Sequence, residues 1–564
     1  MLKLADVRKD PASAWATVVE EVRRHGGVTG AYERWARDDR PILGTTWPAP
    51  EYHDLLRAAA AEETESAAAW QRWRANAYLR DSQQACYQVI PRAYLRSRRR
   101  GTRDRERDRF EGALRHTWTS NAVATRTLQR ACDDLSVVPL LLKGAAVSRL
   151  VDQGGWLQRP ACDVDVLIPT DALPLALASL RAKGWSAIGG LSDLFLMQGL
   201  ASRIHSLSFS PPGKFSTQID LHWHASALDP TCVGDQPLWQ RSTNDKVGGT
   251  DVRVPARVDC LEHVCLHGVR WAPTAHIVWA ADAALLLDRG NECIDPAALA
   301  RRAADRGTTV VLWDALSFLG EILGMQSAWP LVAALEQNDV SAAELVEHQV
   351  IGRPPADASA DCRDVAEHVV AERKSADRES RKFDALRALV PRQANAAETV
   401  QVPAQVLPLC PLDSSVEFGQ RALGASMLVR GWSIPEQGWV WSEEARATLA
   451  MRVPVAPRPL QVAVTIEGAS RAPGTASRLQ VSCNGSAVAE RQLVSGAQET
   501  FTFSVSGDHE GKVVVDLDVD SLERPCDLRG DLLDTRPLGF CLKSLVLSAA
   551  VVAPRRTFAA RRQW

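Results

Sequence analysis

None of the twelve cysteines stands in C-x-x-C spacing, which excludes a zinc knuckle or a thioredoxin-like dithiol. No uncharged apolar run reaches the ~18 residues that a spanning helix needs, so no membrane span is expected. The opening MLKLADVRKDPASAW has no apolar stretch, and a secretory signal is not expected there. With the cysteines scattered, this predicts a cytoplasmic protein with reduced thiols. An excess of charge of one sign is missing too: 66 basic residues stand against 68 acidic ones, for a net −2. No general attraction to nucleic acid or to an anionic membrane follows. Lysine is scarce, ten of the 66 basic residues, the rest being arginine; with abundant alanine this fits a high-GC bacterial coding bias. No repeat of fixed period is visible.

What is present is ordinary globular composition, 46% apolar and 24% charged, over 564 residues. That length exceeds what a single core usually sustains, so several domains are expected. Residues 1–135 read as helical, with apolar residues recurring at three and four spacing, as in Trp15, Val18, Val19 and Val22. The run Arg96–Arg109 holds eight arginines and three acids, a solvated helix face or loop more than an anion site. Residues 136–255 change texture. VVPLLLKG ends a short apolar run at glycine, as a buried strand does, and AAVSRLVDQGG follows as a helix. RPACDVDVLIP alternates as a strand, Asp171 can cap the helix ALPLALASLRAKGW, and residues 204–224 read as two strands joined by Pro-Pro-Gly. Residues 256–350 read as helical and 351–409 as a polar helical linker. From 410 to 564 short alternating strands, with a hairpin signal at Asn484-Gly485, predict an antiparallel, jelly-roll-like β-sandwich.

The sharpest chemical feature is Asp163-Val-Asp165 within a strand. Residues i and i+2 of a strand share a face, so both carboxylates point one way while Cys162, Val164 and Val166 point into a core. Adjacent carboxylates repel unless a cation lies between them, and Mg²⁺ takes one or two carboxylates together with phosphate oxygens. A third acid, Asp220, lies in the alternating strand Gln218–His222. Lys143-Gly144 ends the first strand and opens a helix, where backbone N–H groups favour phosphate. Arg159 precedes the acid pair and offers a fork for phosphate. Two solvated surface acids remain the bland alternative for the pair alone.

Together these residues resemble the nucleotidyltransferase superfamily, and more closely a bacterial family of uncharacterised nucleotidyltransferases. The matching segments are LLKGAA at 141–146, RPACDVDVLI at 159–168 and IDLHWH at 219–224, with HVCLHG at 263–268 and WAAD at 279–282 downstream. Lys-Gly stands where the wider superfamily has Gly-Ser, and the spacing to Asp163 is longer. The resemblance, over roughly 110–330, implies a multidomain α+β chain with a nucleotidyltransferase-like mixed α/β core. It also implies a Mg²⁺- or Mn²⁺-dependent transfer of a nucleoside monophosphate from an NTP to an acceptor hydroxyl. Asp163, Asp165 and Asp220 would hold the metal and do the catalysis. Lys143, Gly144, Arg159 and His222 would contact the nucleotide. The acceptor, whether small molecule, glycan or macromolecule, is open, with surface-polysaccharide or natural-product metabolism as candidate settings.

Other residues keep two readings. His222 and His224 alternate on Asp220's strand and could serve as base or phosphate contact. His263 and His267 have metal-ligand spacing on a helix, but no HExxH pattern, and packing is the commoner use. Trp432, Trp439 and Trp441 lie in segments that resemble a β-sandwich module appended to bacterial glycosyltransferases, and could stack on sugars or fill the sandwich core. The competing function is a degenerate transferase scaffold that binds a glycan or protein.

Overall fold

The computed structural model describes residues 2–10, 47–76, 84–98, 107–151, 159–187, 204–213, 217–226, 232–269, 276–288, 294–341, 407–419, 422–454, 460–469, 476–505, 511–523 and 538–549, with single positions at 13, 14, 16, 191, 195, 196, 344, 345 and 348. The expected linker over 351–409 falls almost wholly outside the described residues. The chain divides into two compact units, Met1–Ser186 with Ile204–Pro391, and Ala187–Arg203 with Arg392–Trp564. The architecture is α+β, with N-terminal helices, a mixed α/β core and C-terminal antiparallel sheets.

In the first unit, β1 (Leu2–Lys3) leads into α1 (Leu4–Lys9), followed by α2 (His53–Ala60), α3 (Glu63–Asn76), α4 (Gln84–Arg98) and the long α5 (Arg107–Leu135). On α5 the buried positions Phe110, Leu114, Thr117, Asn121, Ala124, Leu128, Ala131 and Leu135 recur at three and four spacing. One face of the helix is therefore apolar enough to lie on the sheet. Then come β2 (Leu140–Leu141), α6 (Lys143–Leu150), β3 (Asp163–Leu167), α7 (Leu173–Ala182), β4 (Ser186–Ala187), β5 (Ser206–Ser210), β6 (Gln218–His222), α8 (Cys232–Arg241), β7 (Thr243–Val247) and β8 (Thr250–Val254). These strands form a seven-stranded mixed sheet in the order β4-β5-β6-β3-β2-β8-β7. β3 and β6 run parallel, whereas β2 is antiparallel to β3 and β5 to β6.

Helices α9 (Arg257–Gly268), α10 (Val278–Asp288), α11 (Pro296–Arg306), α12 (Thr309–Glu321) and α13 (Trp329–Leu335) form the expected helical extension. α9 and α10 pack on α6. α11 shows why such a helix begins and ends where it does. Asp295 accepts from the Ala297 N–H at 3.0 Å, Pro296 occupies the first turn, and Gly307 ends it at φ 58°. β9 (Asp339–Val340) returns to pair with β1, which ties the N-terminal helices to this extension.

The second unit contains two antiparallel sheets, each of five strands. They are built from β10 (Ser415–Glu417), β11 (Leu428–Arg430), β12 (Val440–Trp441), β13 (Arg446–Arg452), β14 (Leu460–Gly468), β15 (Ala476–Cys483), β16 (Ser486–Val494), β17 (Gln498–Val505), β18 (Lys512–Val519) and β19 (Phe540–Ala549). One sheet runs β10-β19-β14-β17 with β12 also on β19, the other β11-β13-β18-β15-β16. β14 alternates buried and half-buried residues along its whole length, the period of a strand with one face in a core. Asn484 and Gly485, at φ 47° and 80°, close the β15–β16 hairpin as expected.

Three details differ from expectation. Asp171 caps nothing, because a 3-10 turn, Thr170–Ala172, precedes α7 and Pro174 supplies its first turn. Cys162 is exposed instead of facing a core, since β3 begins only at Asp163. Of VVPLLLKG, only Leu140–Leu141 is paired as a strand.

Candidate active site

The site is built on β3 and β6. Their register sets Asp163 opposite Gln218, Asp165 opposite Asp220 and Leu167 opposite His222. Val164 and Val166 turn the other way and are buried. On β5, Ser208 pairs with Asp220 and Ser206 with His222. One face thus carries a row of Ser208, Asp220 and Asp165 across three strands, with His222 one step along. Ser206 and Ser208 donate to Asp220 Oδ2 and Oδ1, each at 3.3 Å.

Two groups share the same pair of carboxylate oxygens. His222 Nε2 lies 3.0 Å from Asp220 Oδ2 and 3.3 Å from Asp165 Oδ1. Lys143 Nζ donates to Asp165 Oδ1 at 2.5 Å and lies 3.7 Å from Asp220 Oδ2. The Leu142 N–H donates to Asp165 O at 3.1 Å, which holds the start of α6 against β3 at this level. Burial alone would raise Asp165 and Asp220, but hydrogen bonds from His222 and the Lys143 charge outweigh it and hold both below the ordinary carboxylate value. Burial would likewise lower His222, and the two acids raise it instead. Asp163 is exposed at the start of β3. Protein around its carboxyl and the nearby Asp165 charge push it above its usual value.

Asp165, Asp220 and His222 place one ligand atom each within 4.8 Å of one another, so they could hold a metal ion. Two carboxylate oxygens and one imidazole nitrogen suit Mn²⁺ as well as Mg²⁺, since imidazole favours the later metals and carboxylate the harder ones. Asp163 is outside that group. Of the three acids expected to meet, Asp165 and Asp220 converge, and Lys143, expected at the phosphates, lies beside them. His222, expected as a base or phosphate contact, supplies the third candidate ligand atom in the place expected for Asp163.

Arg159 stands on the cleft side. Its Nε lies 3.0 Å from Asp282 Oδ2 on α10, and a Cβ on Gly144 would sit 1.8 Å from its Nη1. Only glycine leaves room at 144 for this guanidinium. Asn121 on α5 fixes the loop, donating to Arg159 O at 3.0 Å and accepting from the Ala161 N–H at 2.7 Å. A cleft of roughly 580 Å³, part of it open to solvent, lies here between α5 and α6. Ala124, Leu128 and Val164 supply apolar wall, and Gly144, Arg159 and Asp163 supply polar rim.

The remaining candidates supply no ligand atom to the acid cluster, although His263 is buried beside it. His224 lies beyond β6 and pairs with Asp235 at 2.9 Å. His263 and His267 stack ring on ring, 6.2 Å between centroids, and burial beside Lys143 and His222 pulls His263 down to about 3. Arg96 is committed to Ala61 O and Asp288, while 99–106 lie outside the described residues. Trp432 is fully buried, donates Nε1–H to Thr448 O at 2.8 Å and packs edge-on against Phe540 of the other sheet. It is a core residue and not a sugar platform. Trp439 is 37% exposed.

Residues 66–324 match the model of a family described as uncharacterised nucleotidyltransferase, a stretch that contains every residue of the acid cluster. That match supports the resemblance drawn from the motifs and, with it, a general nucleotidyl transfer function. No curated protein matches the chain. Three solved structures show partial likeness. A Bacillus subtilis glycoside hydrolase family 43 arabinoxylan arabinofuranohydrolase in complex with cellotetraose is 15% identical over 28% of this chain and 30% of that one, with a TM-score of 0.18. The xylan-binding module CBM15 is 13% identical over 25% of this chain and 99% of that one, at 0.15. A family GH115 4-O-methyl-α-glucuronidase with specificity for decorated arabinogalactans is 13% identical over 52% and 38%, at 0.16. The chain therefore spans about 30% of the length of the arabinofuranohydrolase it partly resembles. Among the described residues no helix is long and apolar enough to cross a membrane.

Proposed function

We propose that this protein transfers a nucleoside monophosphate from an NTP to an acceptor hydroxyl at the face shared by β3 and β6. The observation that carries this reading is the register of Asp165 against Asp220 with His222 on the same face, inside the segment that matches the nucleotidyltransferase family. A divalent cation held by Asp165, Asp220 and His222 would supply neutralisation of phosphate charge and bring the acceptor oxygen towards its ionised form. The protein's own groups do the rest. Asp165 and Asp220 are held ionised, ready to ligate. Lys143 Nζ, beside both acids, offers a positive charge to the phosphates, and the Gly144 N–H at the start of α6 and the Arg159 guanidinium add donors on the cleft side.

Asp163, exposed at the start of β3 on the face that carries Asp165, suits the part of proton acceptor from the acceptor hydroxyl. The acceptor oxygen then bonds to the α-phosphorus, the bond from that phosphorus to the bridging oxygen breaks, pyrophosphate leaves, and the hydroxyl proton passes to Asp163. The apolar-walled cleft beside Asp163 is the proposed seat of the acceptor. One observation favours the scaffold reading: Lys143 and His222 already satisfy both acids without any metal.

Transfer of label from α-³²P-NTP to material in cell extract, with pyrophosphate release, tests the activity. The reading requires Asp165→Asn and Asp220→Asn to abolish transfer, and Asp163→Asn to lower it without weakening nucleotide binding. Transfer undiminished in Asp165→Asn would sink it.

A further inference from the structure

We infer that the Lys143 ammonium is the resident cation of the Asp165–Asp220 pair, and that a divalent ion binds there only by displacing it. The inference rests on the reading that Asp165, Asp220 and His222 can hold a metal. Lys143 Nζ approaches Asp165 Oδ1 at 2.5 Å and Asp220 Oδ2 at 3.7 Å, and these are the two oxygens that His222 Nε2 also faces. A Mn²⁺ ion would need the same oxygens at about 2.0–2.2 Å, the usual range for divalent metal–carboxylate bonds. Ion and ammonium therefore compete for the same lone pairs, and with both present a doubly charged ion would face a neighbouring positive charge.

The backbone supports a side chain set in place for this purpose. Lys143 has φ 45°, in the left-handed region that non-glycine residues avoid, at the very start of α6. Such a conformation persists where the surroundings over-determine it, and here the ion pair to Asp165 and the Leu142 N–H bond to Asp165 O pin the turn on both sides. The device has a function. In the empty enzyme Lys143 keeps two close carboxylates compatible and excludes free divalent ions. When a nucleotide arrives with its cation, the cation takes the oxygens and Lys143 turns to the phosphates. Metal and nucleotide then bind with positive coupling, which must be reciprocal.

Mn²⁺ titration without nucleotide, followed by calorimetry or by the electron-spin signal of free Mn²⁺, tests this directly. Lys143→Gln and Lys143→Met should bind Mn²⁺ at least about tenfold more tightly than the wild type, a change of about 1.4 kcal/mol. Lys143→Arg, which keeps the charge, should not gain, and Asp165→Asn added to Lys143→Gln should remove the binding. NTP should tighten Mn²⁺ binding in the wild type and do so much less in Lys143→Gln. If the Lys143 variants bind Mn²⁺ no better than a wild type whose own binding is lost in Asp165→Asn, the displacement idea is wrong while the metal site stands. If neither the wild type nor the variants bind Mn²⁺, both fail.

Discussion

Arg159→Met should destabilise the first unit by about 3 kcal/mol at pH 7. Arg159 Nε is 3.0 Å from Asp282 Oδ2, and the Asp282 side chain is only 5% exposed. Removing one partner of a buried ion pair leaves the other charge unpaired, which costs roughly 3–5 kcal/mol. The lower figure applies because Arg92, whose Nη1 donates to Ala281 O at 2.7 Å, also favours the charged form of Asp282. The loop itself should survive, since Asn121 holds its main chain.

The pH dependence has a definite sign. Burial raises the Asp282 carboxyl above its ordinary value even with Arg159 in place. Such a carboxyl supports the fold when protonated; the contribution is full below the unfolded pKa and is lost as pH rises through the folded one. Without Arg159 the folded value climbs further, so the gap between variant and wild type should shrink as pH falls from 7 towards about 5. Urea denaturation at several pH values reads this, and Arg159→Met with Asp282→Leu should recover most of the loss. A deficit under about 1 kcal/mol at pH 7, a gap that widens on acidification, or a double variant no better than the single would mean that Arg159 does not hold the Asp282 charge.

Other outcomes follow from single contacts. Gly144→Ala should cost about 1–3 kcal/mol by urea denaturation, because the new methyl meets the Arg159 guanidinium and forces it off Asp282. Gly485→Val should cost about 1–2 kcal/mol, the second hairpin position being at φ 80°; equal stability would mean that the turn relaxes freely. Trp432→Ala should cost about 3–5 kcal/mol by the same measurement, and Trp439→Ala less than about 0.5 kcal/mol. Fluorescence quenching by oligosaccharides, if it occurs, should be lost in Trp439→Ala and should not depend on Trp432.

Local periodicity carried much of this structure. The alternation of DVDVL and QIDLH put their acids on one face, and the Asn-Gly pair sets the β15–β16 turn through its positive φ values. What could not be read locally were the partners. Lys143 and Asp165 are 22 residues apart, and their ion pair depends on β2 running antiparallel to β3, which no spacing shows. Asp282 lies in a segment noticed for its motif, yet its place over Arg159 comes from α10 packing on α6. Trp432 looked as suited to a sugar as to a core, because exposure is decided by the second sheet and Phe540. Asp171 fell to a local competitor, a 3-10 turn ahead of a proline that sequence rules rank less strongly than an acidic cap.

If Asp165, Asp220 and His222 form a cation-dependent nucleotide site, nucleotide binding needs both the cation and the two acids. Calorimetric titration of NTP into the full chain, with Mn²⁺ and again in EDTA, on the wild type and on Asp165→Asn with Asp220→Asn, tests it most directly. The wild type should bind only with Mn²⁺ present, and the variant under neither condition. Equal affinity in EDTA, or full affinity in the variant, would contradict that requirement.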